Sequence, residues 1–467
     1  MNRRRFLTTL AATAAANALP RAHAQQHMAH LEIDAATPGP TIPLDFTGLS
    51  YETAQLANPA FFSTANKSLI HLFRGLSPSG VLRLGGGSSE FTTFAAQNPT
   101  TPPPFEVFGP DTSKTVKHGT TNTPLAFHNL RAFLDATNWR CLYGLNLGQG
   151  TVENAVAEAA AVHQILGPRL IALQLGNEPD SFRNRYRPAT YTPADYLREW
   201  NTFHAAILAK LPTAKFAGPD ISNKIPYFTA FAEAAPQHPD VVLLTAHAYA
   251  MGPAGSPAST LENLLEPNPR VQTQSDEKLS TILEAAKQAR LPYRMCEGNS
   301  CWDGGKPGVS DTLASALWCA DYMLHLAQLG VSGINLHGGG NGFYTPIAGS
   351  PSTGFTQRPE YFGIQFAQQL TGSTFHRTTL TGASPRLTAY ALQSPRQRSL
   401  VIVNKTDSPT TLTLPSNIRP HSRAVLLTGP TFDAKTQPTV KPVTIRSSSL
   451  LQIAPRSATL YTLQKPG

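Results

Sequence analysis

From residue 46 to about 340 the chain alternates two kinds of segment. Short apolar runs ending in Gly, Asn or a polar residue are separated by longer stretches with helical spacing of apolar positions. The short runs are FTGLSYE (46–52), VLRLGGG (81–87), CLYGLNLG (141–148), LIALQLGNE (170–178), AKFAGPD (214–220), VVLLTAHAY (241–249), YRMCEGN (293–299) and GINLHGG (333–339). Helix candidates between them include NAVAEAAAVHQIL (154–166), PADYLREWNTFHAAILAKL (193–211) and SDEKLSTILEAAKQA (275–289). Strands that are apolar almost throughout are buried on both faces, as in a parallel sheet covered by helices. Eight such units predict an α/β fold of the (β/α)8 TIM-barrel type over residues 46–365, because doubly wound sheets usually have fewer strands.

After about residue 372 the pattern changes. RLTAYALQS, SLVIVNKT, TTLTLP, RAVLLTG, KPVTI, SLLQIA and ATLYTLQ are short, alternate apolar with polar, and are separated by Pro, Ser, Asn and Gly. They predict a smaller antiparallel β-sandwich. HLEIDAAT (30–37) has the same character and is placed with it, so the expected sandwich comprises residues 27–45 and 366–467. The Pro-rich stretch 98–111 reads as a long loop after the second strand, on the face where barrels keep their chemistry.

The first 24 residues contain Arg3, Arg4 and Arg5, a mild apolar run and Ala22-His23-Ala24. That order predicts a twin-arginine signal peptide over 1–24 and a mature chain that works in the periplasm or outside the cell. It also moderates the charge. The full chain carries 38 Lys and Arg against 29 acids, net +9; removing the four Arg of residues 1–24 leaves 34 against 29, net +5. No basic run interleaved with aromatics indicates nucleic acid, and no internal apolar stretch reaches the ~18 residues of a membrane span. Cys141, Cys296, Cys301 and Cys319 match no metal-ligand spacing and are expected as free buried thiols.

Candidate chemistry lies at the C-terminal ends of the barrel strands. Reading those ends gives Glu52, Glu90, Asn177 with Glu178, His247 with Tyr249, Glu297 and His337. Glu178 and Glu297 close strands four and seven, which face each other across a barrel mouth. Two carboxylates flanking one bond are what glycoside hydrolysis needs: one protonates the leaving oxygen, the other attacks or stabilises the anomeric centre. Asn177 is placed to hold a sugar hydroxyl, and Tyr249 to donate to Glu297. HGGGNGFYTP (337–346) opens a loop whose Asn341 and Tyr344 are pocket candidates. Side-chain alternation along the seventh strand predicts that Cys296 points opposite to Glu297, into the helix layer near Cys319.

LGNEPDSF (175–182), LRLGGGSSE (82–90) and EGNSCWDGGKPGVSDTLASALWCADYM (297–323) together resemble glycoside hydrolase family 79, the β-glucuronidases and heparanases. GNEP alone is shared across clan A, and the segment after Glu297 narrows the likeness to the family. The resemblance covers the barrel from strand one to strand eight. It implies Glu178 as acid/base, Glu297 as nucleophile, retention of anomeric configuration, and no metal or organic cofactor. The implied partner is a carbohydrate, acidic in character, met by a monomeric chain.

One departure concerns the family's glucuronate pocket, where a tyrosine hydroxyl and backbone amides hold the sugar carboxylate. This sequence has Trp302 at the tyrosine-like position, followed by Asp303, Gly304 and Gly305. The amides around Gly304 and Gly305 remain able to bind an anion, but the phenolic donor is absent. The reading is therefore an exported, exo-acting retaining β-glucuronidase. Another clan A activity (β-glucosidase or β-xylosidase) and a non-catalytic sugar-binding protein stay as alternatives.

Overall fold

A computed structural model describes residues 27–97, 104–108, 114–267, 269–339 and 342–464. The expected signal peptide and Asn341 lie outside the described residues.

Eight parallel strands close into a barrel. They are β1 (Thr47–Glu52), β2 (Val81–Gly85), β3 (Arg140–Leu145), β4 (Leu170–Leu175), β5 (Phe216–Ile221), β6 (Val241–Tyr249), β7 (Tyr293–Asn299) and β8 (Ile334–Gly338). Each apolar run singled out in the sequence supplies one of them. The enclosing helices are α1 (Lys67–Leu76), α2 (Pro124–Thr137), α3 (Val152–Leu166), α4 (Pro193–Lys210), α5 (Ile225–Ala234), α6 (Pro269–Ala289), α7 (Leu313–Gln328) and α8 (Pro359–Gln368). Their starts are written locally. Thr192 and Asp195 form a reciprocal capping box at α4 with Pro193 in its first turn, and Thr151 caps α3 through Asn154 N. Among the described residues no helix is long and apolar enough to cross a membrane.

The barrel interior is layered. Val81, Leu142, Ala172, Ala217, Leu243 and Cys296 pack as an apolar cluster. Above it, toward the C-terminal ends, the inward positions turn polar: Arg83, Gln174, Thr245 and Asp220 are all at most 1% exposed. So many buried polar groups near a barrel mouth must be mutually bonded, which makes this layer the floor of a site.

The second sheet has nine strands and curls over its own core of Ala29, Leu31, Leu400, Ile402, Leu412, Ile453 and Tyr461. His27–Thr41 sits inside it, antiparallel to Thr374–Thr381 and parallel to Thr410–Thr413. The strand Thr374–Thr381 was not marked in the sequence; Phe375 is buried, but from His376 onward its side chains alternate between half-buried and exposed, so no apolar run announces it. The stretch read as one long loop after β2 contains a hairpin, Pro104–Phe108 with Lys114–His118. The sheet is bolted to α7 by a buried ion pair: Lys405 Nζ donates to Asp321 Oδ2 at 2.7 Å, while Thr388 and Tyr390 donate to Oδ1 at 2.6 and 2.7 Å.

Candidate active site

Arg83 organises the mouth. It projects from β2 into the barrel, fully buried, and its donors are shared among four other strands. Nη1 donates to Glu297 Oε2 at 2.7 Å and to Ser50 Oγ at 3.2 Å. Nη2 donates to Asn177 Oδ1 at 2.7 Å and to Asp220 Oδ2 at 2.5 Å. A guanidinium has donors only, so the Asn177 atom facing it is the oxygen, and the amide NH2 is turned the other way as a donor. Neither Arg83 nor Asp220 was among the sequence candidates. The signal was present in VLRLG, where an arginine interrupts a strand that is otherwise apolar and buried.

Glu297 sits at the end of β7 and is 7% exposed. Its Oε1 accepts from Tyr249 Oη at 2.9 Å, and Oε2 accepts from Arg83. His247 Nδ1 and His337 Nδ1 each lie 3.9 Å from Oε2. Burial alone would raise the Glu297 pKa; His337, His247, Arg83 and the Tyr249 bond outweigh it and hold the carboxyl at about 2. Glu297 is thus held toward its carboxylate form.

The strand delivers it through a bulge. Ala246 pairs with Met295 and His247 with Glu297, so Cys296 is an extra residue in β7. The expected alternation fails there. Cys296 points into the barrel, not toward Cys319: its Sγ lies 2.6 Å from Asp220 Oδ1, and Gln174 Nε2 is 3.6 Å from it. A bulge puts two successive side chains on related bearings, which lets Cys296 and Glu297 both face the axis. All four cysteines are free and buried.

Glu178 is reached differently. The chain leaves β4 through Gly176 (φ 84°) and Asn177, and Glu178 itself has φ 52° and ψ 54°. That left-handed backbone is uncommon for a residue with a side chain and costs ~1–3 kcal/mol. Glu178 N donating to Asp220 O at 2.9 Å helps hold it. The turn is locked from below by Glu90, whose carboxylate accepts from the amides of Asn177, Leu147 and Gly148. Burial raises the Glu90 pKa to about 7 against those bonds. Glu90 is therefore a brace for the β4 end.

The Glu178 side chain retains 26% exposure, and Oε1 meets His247 Nδ1 at 2.9 Å. Burial raises its pKa, the charge on Glu297 adds to the rise, and His247 opposes it; the net shift is upward. His247 is in turn held by Asp220, Nε2 to Oδ1 3.2 Å, an ion-pair contact without hydrogen-bond alignment. Burial would lower the His247 pKa, but Glu297 and Asp220 raise it well above the ordinary value.

Glu52 and His337 form a second wall. Glu52 Oε2 accepts from Ser88 N at 2.8 Å, Oε1 lies 3.5 Å from His337 Nε2, and His337 Nδ1 is 3.0 Å from Ser50 Oγ. Burial opposes charge on both, but their proximity lowers the Glu52 pKa, and Glu297 with Glu52 raises that of His337. With Glu178 counted as its acid, three cations (Arg83, His247, His337) face three anions (Asp220, Glu297, Glu52).

The two carboxylates and the open floor meet a cavity of about 950 Å³. Part of that volume runs behind β6 and β7 to Trp318 and Lys405, so the chamber at the mouth itself is smaller. Trp302, Gly304, His337 and Tyr344 also line it. Trp302 is 43% exposed, edge-on to Tyr249 at 6.2 Å. Tyr344 is buried between Tyr249 and His337, ring centroids 6.4 and 5.9 Å. Asp303, Gly304 and Gly305 have φ of 62°, 80° and 82°, a tight left-handed turn beside the cavity. Gly305 does not line the cavity. A Cβ there would stand 2.7 Å from Tyr344 N, so it is a packing glycine instead.

One ligand-type atom from each of Glu178, His247 and Glu297 lies within 4.8 Å of the others. Asp220, His247 and Cys296 make a second such group, but Arg83 and Gln174 already occupy Asp220. A close acid–anion pair fits attack by one carboxylate and proton donation by the other. Retaining glycosidases hold their carboxyl groups ~5–5.5 Å apart, whereas inverting ones leave ~6.5–9.5 Å for a water.

No family model matches the chain. A curated β-glucuronidase from Neurospora crassa is 28% identical over 322 residues, covering 62% of this chain and 56% of that protein. One from Aspergillus niger is 25% identical over 361 residues, covering 70% and 62%. The chain thus spans less than two thirds of the length of the curated relatives it matches. A 4-O-α-L-rhamnosyl-β-D-glucuronidase from Fusarium oxysporum 12S superposes over 93% of this chain and all of that chain, with TM-score 0.71 and 18% identity. A family 51 arabinofuranosidase from Xanthomonas axonopodis pv. citri gives TM-score 0.67, 13% identity, and coverage of 94% and 100%. These likenesses show the shared architecture of barrel and β-domain.

Proposed function

We propose that this chain is a retaining β-glycoside hydrolase of the family 79 type that removes terminal β-linked glucuronate by double displacement. The observation that carries the chemistry is the carboxyl pair itself: atoms of Glu178 and Glu297 within 4.8 Å, one raised and half-open, the other buried and held at about 2. In the first step Glu297 Oε attacks the anomeric carbon while Glu178 passes its proton to the departing oxygen. Ester formation removes the Glu297 charge that raises Glu178, so the Glu178 pKa falls and the same group takes a proton from water in the second step. Arg83 fixes Glu297 and Asn177 together, and the Asn177 amide is the natural partner of the sugar 2-hydroxyl.

The choice of glucuronate rests on the two β-glucuronidase relatives and on the 303–305 turn, whose glycine-borne backbone lets amides approach an anion. A second reading, a β-glucosidase or β-xylosidase, is favoured by Trp302, which has no hydroxyl, and by Asp303, whose negative charge lines the same cavity. A panel of matched aryl glycosides separates them. Glucuronide kcat/KM roughly 10–10⁴-fold above glucoside supports the proposal, since one or two charge-assisted bonds are at stake. Faster glucoside or xyloside cleavage overturns the substrate and leaves the mechanism standing.

We further propose twin-arginine export to the periplasm or beyond, supported by Arg3-Arg4-Arg5 ahead of an apolar run. Replacing Arg4 and Arg5 by Lys should trap the activity in the cytoplasmic fraction; unchanged fractionation contradicts export by that route.

A further inference from the structure

Three metal-ligand side chains converge at the opposite end of the barrel from the carboxyl pair. We propose that His204, His238 and Asp240 form a site for a divalent transition-metal ion, zinc being the ion that suits them best. The site is separate from catalysis and goes beyond the proposed hydrolase activity.

The donors come from two elements. His204 lies near the C-terminal end of α4, and His238 and Asp240 lie in the segment entering β6. One donor atom from each falls within 4.8 Å of the other two. Among the described residues this is the one such cluster that does not include His247. Two imidazoles and a carboxylate make a common three-ligand zinc set, with a fourth position for water.

The frame around the donors is rigid. The His204 ring stacks on Trp200 at 4.4 Å and meets Phe216 edge-on at 4.6 Å. Asp240 O accepts from Phe216 N, and His238 O accepts from Val241 N, both at 2.9 Å. Ligand-bearing backbone is therefore tied to the first residues of β5 and β6. His204 is buried while His238 and Asp240 are half-exposed, so an ion can enter from solvent and displace the direct His204 Nε2–Asp240 Oδ2 contact of 2.5 Å. An ion here would clamp α4 to the start of β6, a stabilising role.

The test is zinc titration of the chelator-treated whole chain by calorimetry, with thermal unfolding in parallel. One zinc per chain and a rise of about 2–5 °C in Tm are expected at saturating zinc. His238→Ala, a half-exposed position, should lose both while keeping the Tm of the metal-free chain and full aryl-glycosidase activity. Asp240→Asn should weaken binding in the same sense. Absence of binding overturns the site, as does binding that survives in both variants; zinc loss that follows Glu178→Gln instead would assign the ion to the carboxyl pair and overturn it too.

Discussion

The ends of β4 and β7 present the same side chain a few ångströms apart in opposite electrostatic settings. Glu297 is 7% exposed and is met by Arg83 and Tyr249, with two cationic histidines nearby. Glu178 is 26% exposed in its side chain, takes one bond from His247, and feels the charge of Glu297. Chemical identity does not assign acid and nucleophile; the neighbours do. An anion already desolvated and aligned is a nucleophile, and a carboxyl kept protonated by burial and a like charge is an acid.

The comparison breaks most completely at Glu297. Glu297→Gln removes the atom that forms the glycosyl ester, and turnover should fall by at least ~10⁴. The same change removes the charge that raises Glu178, so carboxyl titration by NMR should show the Glu178 pKa drop. Glu178→Ala should be nearly as damaging for alkyl glycosides but far milder for nitrophenyl glycosides, whose leaving group departs without a proton. Azide should restore part of the second step. Equal loss for every leaving group, with no azide effect, removes Glu178 from the acid/base role.

Arg83→Met tests what holds the two ends together. It strands Asp220 and Glu297 as buried anions, and stability should fall by about 3–5 kcal/mol in denaturant unfolding. Tyr249→Phe is gentler. Losing one bond to a charged acceptor should lower kcat/KM by roughly 10–100-fold. Because that bond lowers the Glu297 pKa, the acid limb of the pH–rate profile should move up from about 2, while the basic limb, governed by Glu178 above the usual carboxylate range, stays in place. Stability follows the same sign. Glu297 is depressed in the folded chain relative to its ordinary 4.5, so its contribution is complete above pH 4.5 and is lost as pH falls toward about 2. Trp302→Tyr is expected to change least: glucuronide turnover should rise modestly or stay level, since it returns a hydroxyl donor to the cavity rim.

Much of this was legible along the chain, and the failures have physical causes. The eight strands announce themselves because burial on both faces demands unbroken apolar runs. Glu178 and Glu297 are visible because each closes such a run with an ionisable group. Register within a strand is not visible, since a bulge changes facing without changing composition; Cys296 was placed outside for that reason. Arg83 and Asp220 were passed over because their roles come from pairing across the barrel, between residues 137 positions apart. Glu90 was visible as a strand-end carboxylate, but its bracing of the β4 end was not, because that is set by which backbone amides surround it.

The most direct test of the account is to trap the intermediate. The chain is incubated with an activated 2-deoxy-2-fluoro-β-glucuronide, which slows the second step, and is then digested and sequenced by mass spectrometry. One glycosyl adduct per chain on the peptide bearing Glu297, absent in Glu297→Gln, is the result predicted. An adduct on Glu178 or any other residue, or hydrolysis of the natural glycoside with inversion of the anomeric centre, would contradict it.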